Sequence, residues 1–546
     1  MYDKEHGLYI AHCSNGALSI IGKMANRHGL IAGATGTGKT VTLQVMAESF
    51  CQAGVPCFMA DMKGDLSGIS QVGKMSGFIE KRLPEFFPSE NEEQSPRLPF
   101  QFQSCPVRFY DVYGEQGHPM RATVSQMGPQ LLSRLLGLNE TQDGVLNIVF
   151  RVADERGWLI DDLKDLRSVL DFVSKHAKEY ATKYGNVAAA SVGAIQRALL
   201  QLESQGADKF FGLPAFDIND LLATVPDDSS SGCKGMMSVL AADKLMMQPK
   251  LYSTFLLWLL SELYSTLPEV GDQEKPKLVF FFDEAHMLFD STSKALLDKI
   301  EQVIRLIRSK GVGIYFITQS PTDIPESILG QLGNRVQHAL RAYTPKDQKA
   351  VKTAADTFRA NPAFKTDEAI MNLETGEALV SFLDEKGAPS VVERAKILFP
   401  LSQIGAITDG QRLDIIRQSS IYGTYDTPID RESAFEVLLA EEERQLEAAE
   451  QEKAAREQEE AEAKAEKAEK EEKKKPGIMS KVWKAVLTAV TSTFAALLGT
   501  WVSDKVTGKK TKSRKSAKEK VVKNATSAAT RTITKELTRD ILGNLK

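Results

Sequence analysis

The residues from Gly33 to Thr40, GATGTGKT, fit the pattern G-x-x-x-x-G-K-[ST] of a loop that binds phosphate. Its glycines permit backbone conformations in which successive N–H groups point at phosphate oxygens. Lys39 supplies a positive charge for the β- and γ-phosphates, and Thr40 supplies a hydroxyl ligand for Mg²⁺. We predict that the nucleotide is contacted by Gly33, Ala34, Thr35, Gly36, Thr37, Gly38, Lys39, Thr40 and Val41.

A second motif that could do chemistry is KLVFFFDEAH, from Lys277 to His286. Its apolar run is typical of a parallel strand that is buried on both faces. Asp283, at the end of this strand, would hold Mg²⁺ through water, and Glu284 would polarise the water that attacks the γ-phosphate. Two adjacent carboxylates are costly to bury without a cation. His286 would either couple the nucleotide state to a neighbouring subunit or serve a structural role.

Polar residues also follow two other apolar runs. The run at 313–317 leads into Gln319, whose amide could contact the γ-phosphate or the attacking water and detect hydrolysis. The run at 55–60 leads into Asp61 and Asp65, which are either carboxylates near Mg²⁺ or residues that form a turn. Together the motifs predict a site that hydrolyses ATP with Mg²⁺, and its catalytic groups would be Lys39, Glu284 and Gln319.

These motifs need a strand before the phosphate loop and a helix after it. Residues 28–32 form a short apolar run, and residues 41–52 carry apolar side chains at helical spacing. The phosphates would then lie at a helix N-terminus, where backbone N–H groups are available to bind them. The predicted fold class is α/β, with a mostly parallel sheet flanked by helices.

In this order the motifs resemble those of the HerA–FtsK superfamily of hexameric DNA-pumping ATPases, and in particular its YjgR-like bacterial branch. The resemblance covers roughly the first four-fifths of the chain. It is carried by the segments Met24–Gln44, Phe58–Gly68, Ser191–Glu203, Lys277–Phe289 and Phe316–Lys352.

The resemblance implies a RecA-like P-loop ATPase core, bound Mg²⁺-ATP, a homohexameric ring and DNA as a partner. It also implies an arginine finger that reaches the γ-phosphate of the neighbouring subunit. By position this finger would be Arg341, on the strand after Thr318-Gln319, with Arg335 second, while Arg305 and Arg308 are weaker candidates. A surface role without catalysis stays open for each. Residues 1–32 are too short for the β-barrel that HerA proteins usually carry before the core.

Size and composition are those of an ordinary globular protein. The chain has 546 residues, 42% hydrophobic and 26% charged, so it can bury a substantial core. No signal peptide is expected, because Asp3, Glu5 and His6 interrupt any apolar region. Buried, reduced thiols in a cytoplasmic protein are predicted, since neither C-x-x-C pairs nor histidines at zinc spacing accompany Cys13, Cys51, Cys57, Cys105 and Cys233.

The composition changes several times along the chain. We predict two parts of an ATPase core at 1–115 and 236–435, separated by a mainly helical insertion at 116–235. Residues 436–475 are almost entirely Glu, Ala, Lys, Gln and Arg, which favours a solvated single helix or linker over a coiled coil. Within the insertion, one helical face is shared by Leu163, Leu166, Val169, Leu170 and Val173.

The C-terminal tail, residues 476–546, is basic. From Lys481 to Lys546 it contains 15 Lys and Arg against 4 Asp and Glu. Residues 485–503 are uncharged, and packing of this predicted helix against partner helices is favoured over contact with a membrane. Residues 508–523 would bind the phosphates of DNA or an anionic lipid surface, or remain a solvated tail.

Three functions fit these observations. The first is an ATP-driven motor on double-stranded DNA, a translocase or helicase. The second is an ATPase of the secretion or conjugation type that acts on a protein, and the third is an assembly or defence scaffold controlled by ATP. A superfamily-2 helicase would also carry DEAH, but we find no second core domain and no Q-R-x-G-R motif.

Overall fold

The computed structural model describes residues 1–3, 7–87, 100–227, 232–271, 273–289 and 294–472. The chain divides into two units, Met1–Leu438 and Leu439–Lys546. The predicted uncharged segment at 485–503 and the basic segment at 508–523 lie outside the described residues, and their roles stay predictions.

The strands of the described part are short, and most contain between three and seven residues. They are β1 (Tyr2–Asp3), β2 (Gly7–Cys13), β3 (Gly16–Ile20), β4 (Gly29–Ala32), β5 (Cys57–Asp61), β6 (Val107–Asp111), β7 (His118–Pro119), β8 (Thr224–Pro226), β9 (Cys233–Gly235), β10 (Met237–Ala241), β11 (Leu278–Phe282), β12 (Val312–Thr318), β13 (Asn334–Gln337), β14 (Glu377–Ser381) and β15 (Glu393–Ile397).

The α-helices of the described part range from single turns to one helix of 39 residues. They are α1 (Lys39–Gln52), α2 (Gly77–Phe86), α3 (Val124–Leu136), α4 (Glu140–Arg156), α5 (Leu163–Lys175), α6 (Ala177–Tyr184), α7 (Ala189–Ser204), α8 (Pro249–Thr266), α9 (His286–Phe289), α10 (Lys294–Ile307), α11 (Glu326–Leu329), α12 (Pro345–Asp356), α13 (Thr366–Met371), α14 (Asp409–Gln418) and α15 (Ala434–Glu472).

One 13-stranded sheet organises the first unit. Its strands run in the order β1-β2-β15-β14-β13-β4-β12-β11-β5-β10-β6-β7, and β3 pairs with β2. Every pairing from β13 to β7 is parallel, whereas β14, β15, β2 and β1 form an antiparallel edge. The predicted fold class is therefore confirmed: this is an α/β protein with a RecA-like, mostly parallel sheet flanked by helices.

Helices pack against both faces of this sheet, and the apolar side chains of the central strands contact them. All five residues of β11 are buried, and successive side chains of a strand point to opposite faces. Phe280 and Phe282 join one core, which also contains Leu132 of α3 and Leu256 of α8. Phe281 joins the other core with residues of α1. Because the side chains on both faces of such a strand are buried, each of its residues must be apolar.

The helices α3 to α7 lie within the predicted insertion at 116–235. The five residues of α5 that were predicted to share a face are all buried. They belong to the same core as the strands beneath them, so the insertion packs as part of the first unit. The domain boundaries given above remain predictions.

The long helix α15 spans most of the segment predicted to be a charged helix. From Glu442 to Lys467, its side chains are exposed with the single exception of Ala465. Among the described residues, no helix combines the length and apolar character that crossing a membrane requires.

Candidate functional site

Four neighbouring parallel strands deliver the predicted residues to one edge of the sheet. In space the order is β4, β12, β11 and β5, although the chain visits them in the order β4, β5, β11 and β12. Ala32 pairs with Thr318, and Phe282 pairs with both Phe316 and Ala60. The segments that follow these strands therefore meet at the carboxyl edge, which is where open α/β sheets bind ligands.

The phosphate loop is held by hydrogen bonds to neighbouring segments. The amide of Gly33 donates to the carbonyl of Thr318 at 3.2 Å, and that of Ala34 donates to Ala339 at 2.8 Å. At the other side of the loop, the carbonyl of Thr37 accepts from the amide of Gly376 at 3.1 Å. Backbone hydrogen bonds to three other segments of the chain therefore hold the loop in place.

Lys39 lies at the first residue of α1, and its ammonium group is directed back into the loop. It donates to the carbonyls of Gly33 at 2.7 Å and Ala34 at 3.1 Å. Burial lowers the pKa of Lys39, while the nearby carboxylates of Glu284 and Asp283 act in the opposite direction. A phosphate would replace these carbonyls with stronger, charge-assisted hydrogen bonds.

His338 supports the loop and was not identified from the sequence. It is fully buried just after β13, and its Nδ1 donates to the carbonyl of Glu377 at 3.0 Å. Its Nε2 then accepts from the hydroxyl of Thr42 on α1 at 2.8 Å. Burial lowers the pKa of His338 to about 4, so the ring is neutral. A Cβ atom on Gly33 would lie 2.5 Å from the Cβ of His338, which explains the glycine at this position.

Asp283 is a buried carboxylate at the end of β11. Burial, followed by the negative charge of Glu284, raises the pKa of Asp283 to about 6. Its Oδ1 accepts from the amide of Glu284 at 2.9 Å. The Asp283 carboxylate and the Thr40 hydroxyl are oxygen donors of the kind that Mg²⁺ prefers, and a cation would offset the cost of burying the acid. These residues fit the predicted metal.

Glu284 lies at the centre of a cluster of side chains. Its Oε1 is 3.0 Å from the ammonium of Lys63, and its Oε2 accepts from the amide of Gln319 at 3.3 Å and lies 3.5 Å from Nδ1 of His286. Burial opposes the ionisation of Glu284, but Lys63 and Gln319 outweigh it, and the pKa is lowered. With φ = +46°, its backbone adopts a conformation that is strained for a residue with a side chain.

Asp61 forms the turn after β5. Its Oδ1 accepts from the amides of Gly64 at 2.7 Å and Lys63 at 3.3 Å, as in other turns made by aspartate. Its Oδ2 is buried and has no hydrogen-bond partner in the described part of the chain, and burial raises the pKa of Asp61 to about 6. The turn role is therefore observed, while proximity of Asp61 and Asp65 to Mg²⁺ stays a prediction.

The candidate arginine fingers differ in their surroundings. Arg335 lies on β13 and donates to the carbonyls of Leu332, Thr357 and Leu329 at 2.8 to 2.9 Å. Its guanidinium therefore joins Thr357 to the segment that contains Leu329 and Leu332.

The expectation that Arg341 lies on the strand after Thr318-Gln319, which is β13, is wrong. β13 ends at Gln337, and beyond it the carbonyl of Ala339 accepts a hydrogen bond from Ala34 of the phosphate loop rather than from a neighbouring strand. The exposed Arg341 donates to the carbonyl of Met371 at 3.1 Å. The assignment of the finger to Arg341 or Arg335 stays a prediction, as does any role of Arg305 or Arg308.

The family described as helicase HerA-like C-terminal matches residues 8–546. Over 99 residues, 18% of this chain and 19% of each relative, the chain is 30% identical to the DNA double-strand break repair helicase HerA of Sulfolobus acidocaldarius and 31% identical to that of Sulfurisphaera tokodaii. The match thus spans about a fifth of the length of these curated relatives.

Two bacterial proteins are among the solved structures to which this chain is similar. The bacterial conjugative coupling protein TrwB, in its unbound monoclinic form, is 14% identical, covers 71% of this chain and 88% of its own, and has a TM-score of 0.46. VirB4 of Thermoanaerobacter pseudethanolicus is 15% identical, with 72% and 97% covered and a TM-score of 0.46. With its P-loop ATPase architecture and a family match over nearly its entire length, the chain belongs to the HerA-like helicase C-terminal family.

Proposed function

We propose that this protein hydrolyses Mg²⁺-ATP and uses the energy to move double-stranded DNA, as a translocase or helicase that works as a homohexameric ring. One observation supports hydrolysis above all others. The phosphate loop, the Asp283–Glu284 pair and Gln319 follow adjacent parallel strands, and the Gln319 amide is 3.3 Å from the Glu284 carboxylate. A phosphate-binding loop beside a carboxylate and an amide is the arrangement that phosphoryl transfer to water requires.

Each side chain then has a defined task. Lys39 leaves the loop carbonyls and pairs with the β- and γ-phosphates, while the α1 N-terminus supplies backbone N–H groups. Thr40 and Asp283 would hold Mg²⁺, which neutralises charge on the phosphates when it is bound. Glu284 accepts a hydrogen bond from the attacking water, and Gln319 orients the same water or the γ-phosphate. Arg341 or Arg335 of a neighbouring subunit would complete the site.

DNA is proposed as the substrate on chemical grounds and by analogy with the curated relatives, whose names describe a repair helicase. Lys346, Lys349 and Lys352 are exposed along α12, and within the described residues none of them forms a salt bridge. Tyr343, just before this helix, is 86% exposed. Ammonium groups in a row beside an open aromatic ring suit a phosphate backbone.

The test is steady-state ATPase activity with and without linear double-stranded DNA, at two salt concentrations. We expect stimulation that declines as salt rises, because phosphate contacts release counterions. Lys39→Ala should weaken nucleotide binding and abolish turnover, whereas Glu284→Gln should bind ATP and turn it over at least ~100-fold more slowly. Normal turnover by Glu284→Gln would contradict the assigned role of this residue.

Charge reversal on α12 tests the proposed DNA-binding surface separately. Replacement of Lys346, Lys349 and Lys352 by Glu should reduce stimulation by DNA and leave basal turnover intact. The matched control makes the same charge change on α15, at Lys453, Lys464 and Lys467. If the wild type hydrolyses ATP at the same high rate with and without DNA, the result would instead favour a motor acting on protein or a scaffold controlled by ATP.

A further inference from the structure

An exposed apolar segment leads into α2, and the tasks assigned above do not use it. Val72, Met75 and Phe78 are 52%, 50% and 56% exposed, and they lie close together in the sequence. Phe78 is in the first turn of α2, after the capping residue Ser76. Single apolar side chains are common on protein surfaces, whereas a group of them indicates a surface that binds something.

Arg82, one turn further along α2, holds the ring of Phe78. Its guanidinium carbon is 5.1 Å from the centre of the Phe78 ring and 5.1 Å from that of the buried Phe86. Its Nη2 also donates to the carbonyl of Ile397, at the end of β15, at 3.3 Å. Contact with the cation restricts the Phe78 ring, which still has more than half of its surface open to solvent.

Gly376 connects Arg82 to the phosphate loop. Its amide donates to the carbonyl of Thr37 at 3.1 Å, and its Cα lies 3.7 Å from the position that a Cβ atom on Gly38 would take. A Cβ atom on Gly376 itself would be 2.9 Å from Nη1 of Arg82. The guanidinium is thus separated from the phosphate loop by one residue without a side chain.

The order of the strands shows which part of a bound nucleotide would reach Phe78. The acidic pair and Gln319 follow β11 and β12, on one side of β4. Gly376 immediately precedes β14, which lies on the other side of β4, beyond β13. Because the γ-phosphate must lie toward the catalytic groups, the nucleoside at the opposite end of ATP extends toward Gly376 and Phe78. An exposed aromatic ring there suits a base, since stacking requires no specific hydrogen bonds.

We propose that Phe78 is the surface on which the base of the nucleotide stacks, and that Arg82 is a positioning residue that holds the Phe78 ring beside the phosphate loop. This inference rests on the proposed function and adds to it the side chain that binds the nucleoside half of ATP. Stacking accepts every base but is stronger for purines, which present the larger ring surface. The site therefore prefers purine to pyrimidine nucleotides and discriminates little between adenine and guanine.

Calorimetric titration of the full chain with Mg²⁺ and either ADP or inorganic pyrophosphate separates the base from the phosphates. Phe78→Ala should weaken the affinity for ADP about five- to tenfold, the lower part of the range for losing a stacked base. The affinity for pyrophosphate, which has no base, should not change. Phe78→Trp should retain the affinity for ADP, whereas Lys39→Ala should weaken the binding of both ligands.

Tyr422→Ala is the matched control, because Tyr422 is also an aromatic side chain that is 56% exposed. It should leave the affinity for ADP unchanged. Thermal unfolding checks that each variant is folded, and Phe78→Leu, which removes the ring but keeps an apolar side chain, is the second variant if Phe78→Ala unfolds early.

Arg82→Gln tests the positioning role. Loss of the cation beside the ring should weaken the affinity for ADP about two- to fivefold. It should also reduce the preference for ADP over UDP, and leave the affinity for pyrophosphate unchanged. Arg82→Lys, which keeps a positive charge, should restore part of the preference. A general loss of structure would not change the preference for one base over the other.

Several results would overturn the inference. Equal affinity of the wild type and Phe78→Ala for ADP would show that Phe78 does not bind the base. Loss of affinity for ADP and pyrophosphate alike would mean that the substitution disturbs the phosphate loop. A change in sedimentation velocity without a change in ADP affinity would assign the apolar segment to a contact between two copies of the chain. If the wild type binds neither ligand, the proposed function has failed, which is a separate outcome.

Discussion

The carboxyl edge of the central sheet and the exposed part of α15 are stabilised in opposite ways. At the sheet edge, β4, β12, β11 and β5 are buried on both faces, and their ends carry the candidate catalytic residues. Along α15, exposed side chains interact with neighbours one turn away, such as Arg456 with Glu452 at 2.7 Å. The first region depends on contacts between distant segments, whereas the second depends on contacts that the local sequence supplies.

This difference determines what a single substitution can do. In the sheet edge, a change at one residue is transmitted to side chains from other strands, because packing leaves no free space. On an exposed helix, the neighbours of a substituted residue are water and one or two side chains, and the helix adjusts. The predictions below test this contrast, beginning with the largest expected effect.

Gly33→Ala should disrupt the phosphate loop. The added Cβ would lie 2.5 Å from the Cβ of His338, which is itself buried and held by two hydrogen bonds. Either the loop or His338 must move, and we expect a loss of about 1–3 kcal/mol in stability. Nucleotide affinity should fall about tenfold or more, since small displacements in such sites are costly. Urea unfolding and titration with a fluorescent ATP analogue measure both effects.

Gly144→Ala is the matched control for this substitution. Gly144 lies within α4, and a Cβ atom there meets no heavy atom within 4 Å. Alanine is the better helix former, so stability should rise by about 0.5–1 kcal/mol with nucleotide affinity unchanged. Equal behaviour of the two variants would contradict the view that the loop is held by tertiary contacts.

His28 should make the core sensitive to acid. It is buried, its Nε2 donates to Ile304 at 3.0 Å, and its Nδ1 accepts from the amide of Ile314 at 3.0 Å. Burial, with the charge of Arg308 as a further cause, lowers the pKa of His28 to about 4 from an ordinary value of 6.5. The unfolded chain therefore binds this proton first as the pH falls.

The contribution of neutral His28 to stability is complete above pH 6.5 and is lost as the pH falls through about 4. We expect this loss to be on the order of 1–3 kcal/mol. His28→Asn tolerates the positive φ of 56° and cannot be protonated in this range. Its unfolding free energy should be lower at pH 7 but fall less toward pH 4. If the unfolding free energies of the two proteins fall in parallel with pH, His28 is not the source of the acid sensitivity.

Arg456→Gln should have the smallest effect. The residue is exposed, and its ion pair with Glu452 spans one turn of α15. We expect a loss of about 0.2–0.5 kcal/mol in local helix stability, and none in the melting of the first unit. Hydrogen exchange of the amides near residue 456 would report it, and high salt should remove the difference. A marked fall in the overall melting temperature would show that this helix is held by more than local pairs.

Much of the fold was predictable because its signals are contiguous. The apolar run before Asp283 predicted a strand buried on both faces, and β11 has that burial. The glycine-rich loop predicted a strand before it and a helix after it, and β4 and α1 are found there. The composition of residues 436–475, almost entirely Glu, Ala, Lys, Gln and Arg, favoured a solvated single helix or linker, and α15 is a helix with exposed side chains there.

Other features could not be predicted because they join residues that are distant in the chain. Lys63 reaches Glu284, and His338 reaches Thr42 on α1. Nothing in the sequence around Lys63 or His338 distinguishes them from surface or core residues elsewhere. Arg335 looked like a candidate for catalysis, yet it binds three carbonyls of its own chain. Each case depends on the order of strands in the sheet.

By itself the sequence indicated the four strands that carry the site, the phosphate loop, the acidic pair and the charged helix, because each follows from the chemistry of a few consecutive residues. Only the tertiary structure decided that β12 lies between β4 and β11, and that the antiparallel strands β14, β15 and β2 extend the sheet beyond β13. The physical reason is that buried strands are similar in their apolar sequence. Such strands could pair in many orders, and the packing of the whole chain selects the one that brings Lys63, Glu284 and Gln319 together.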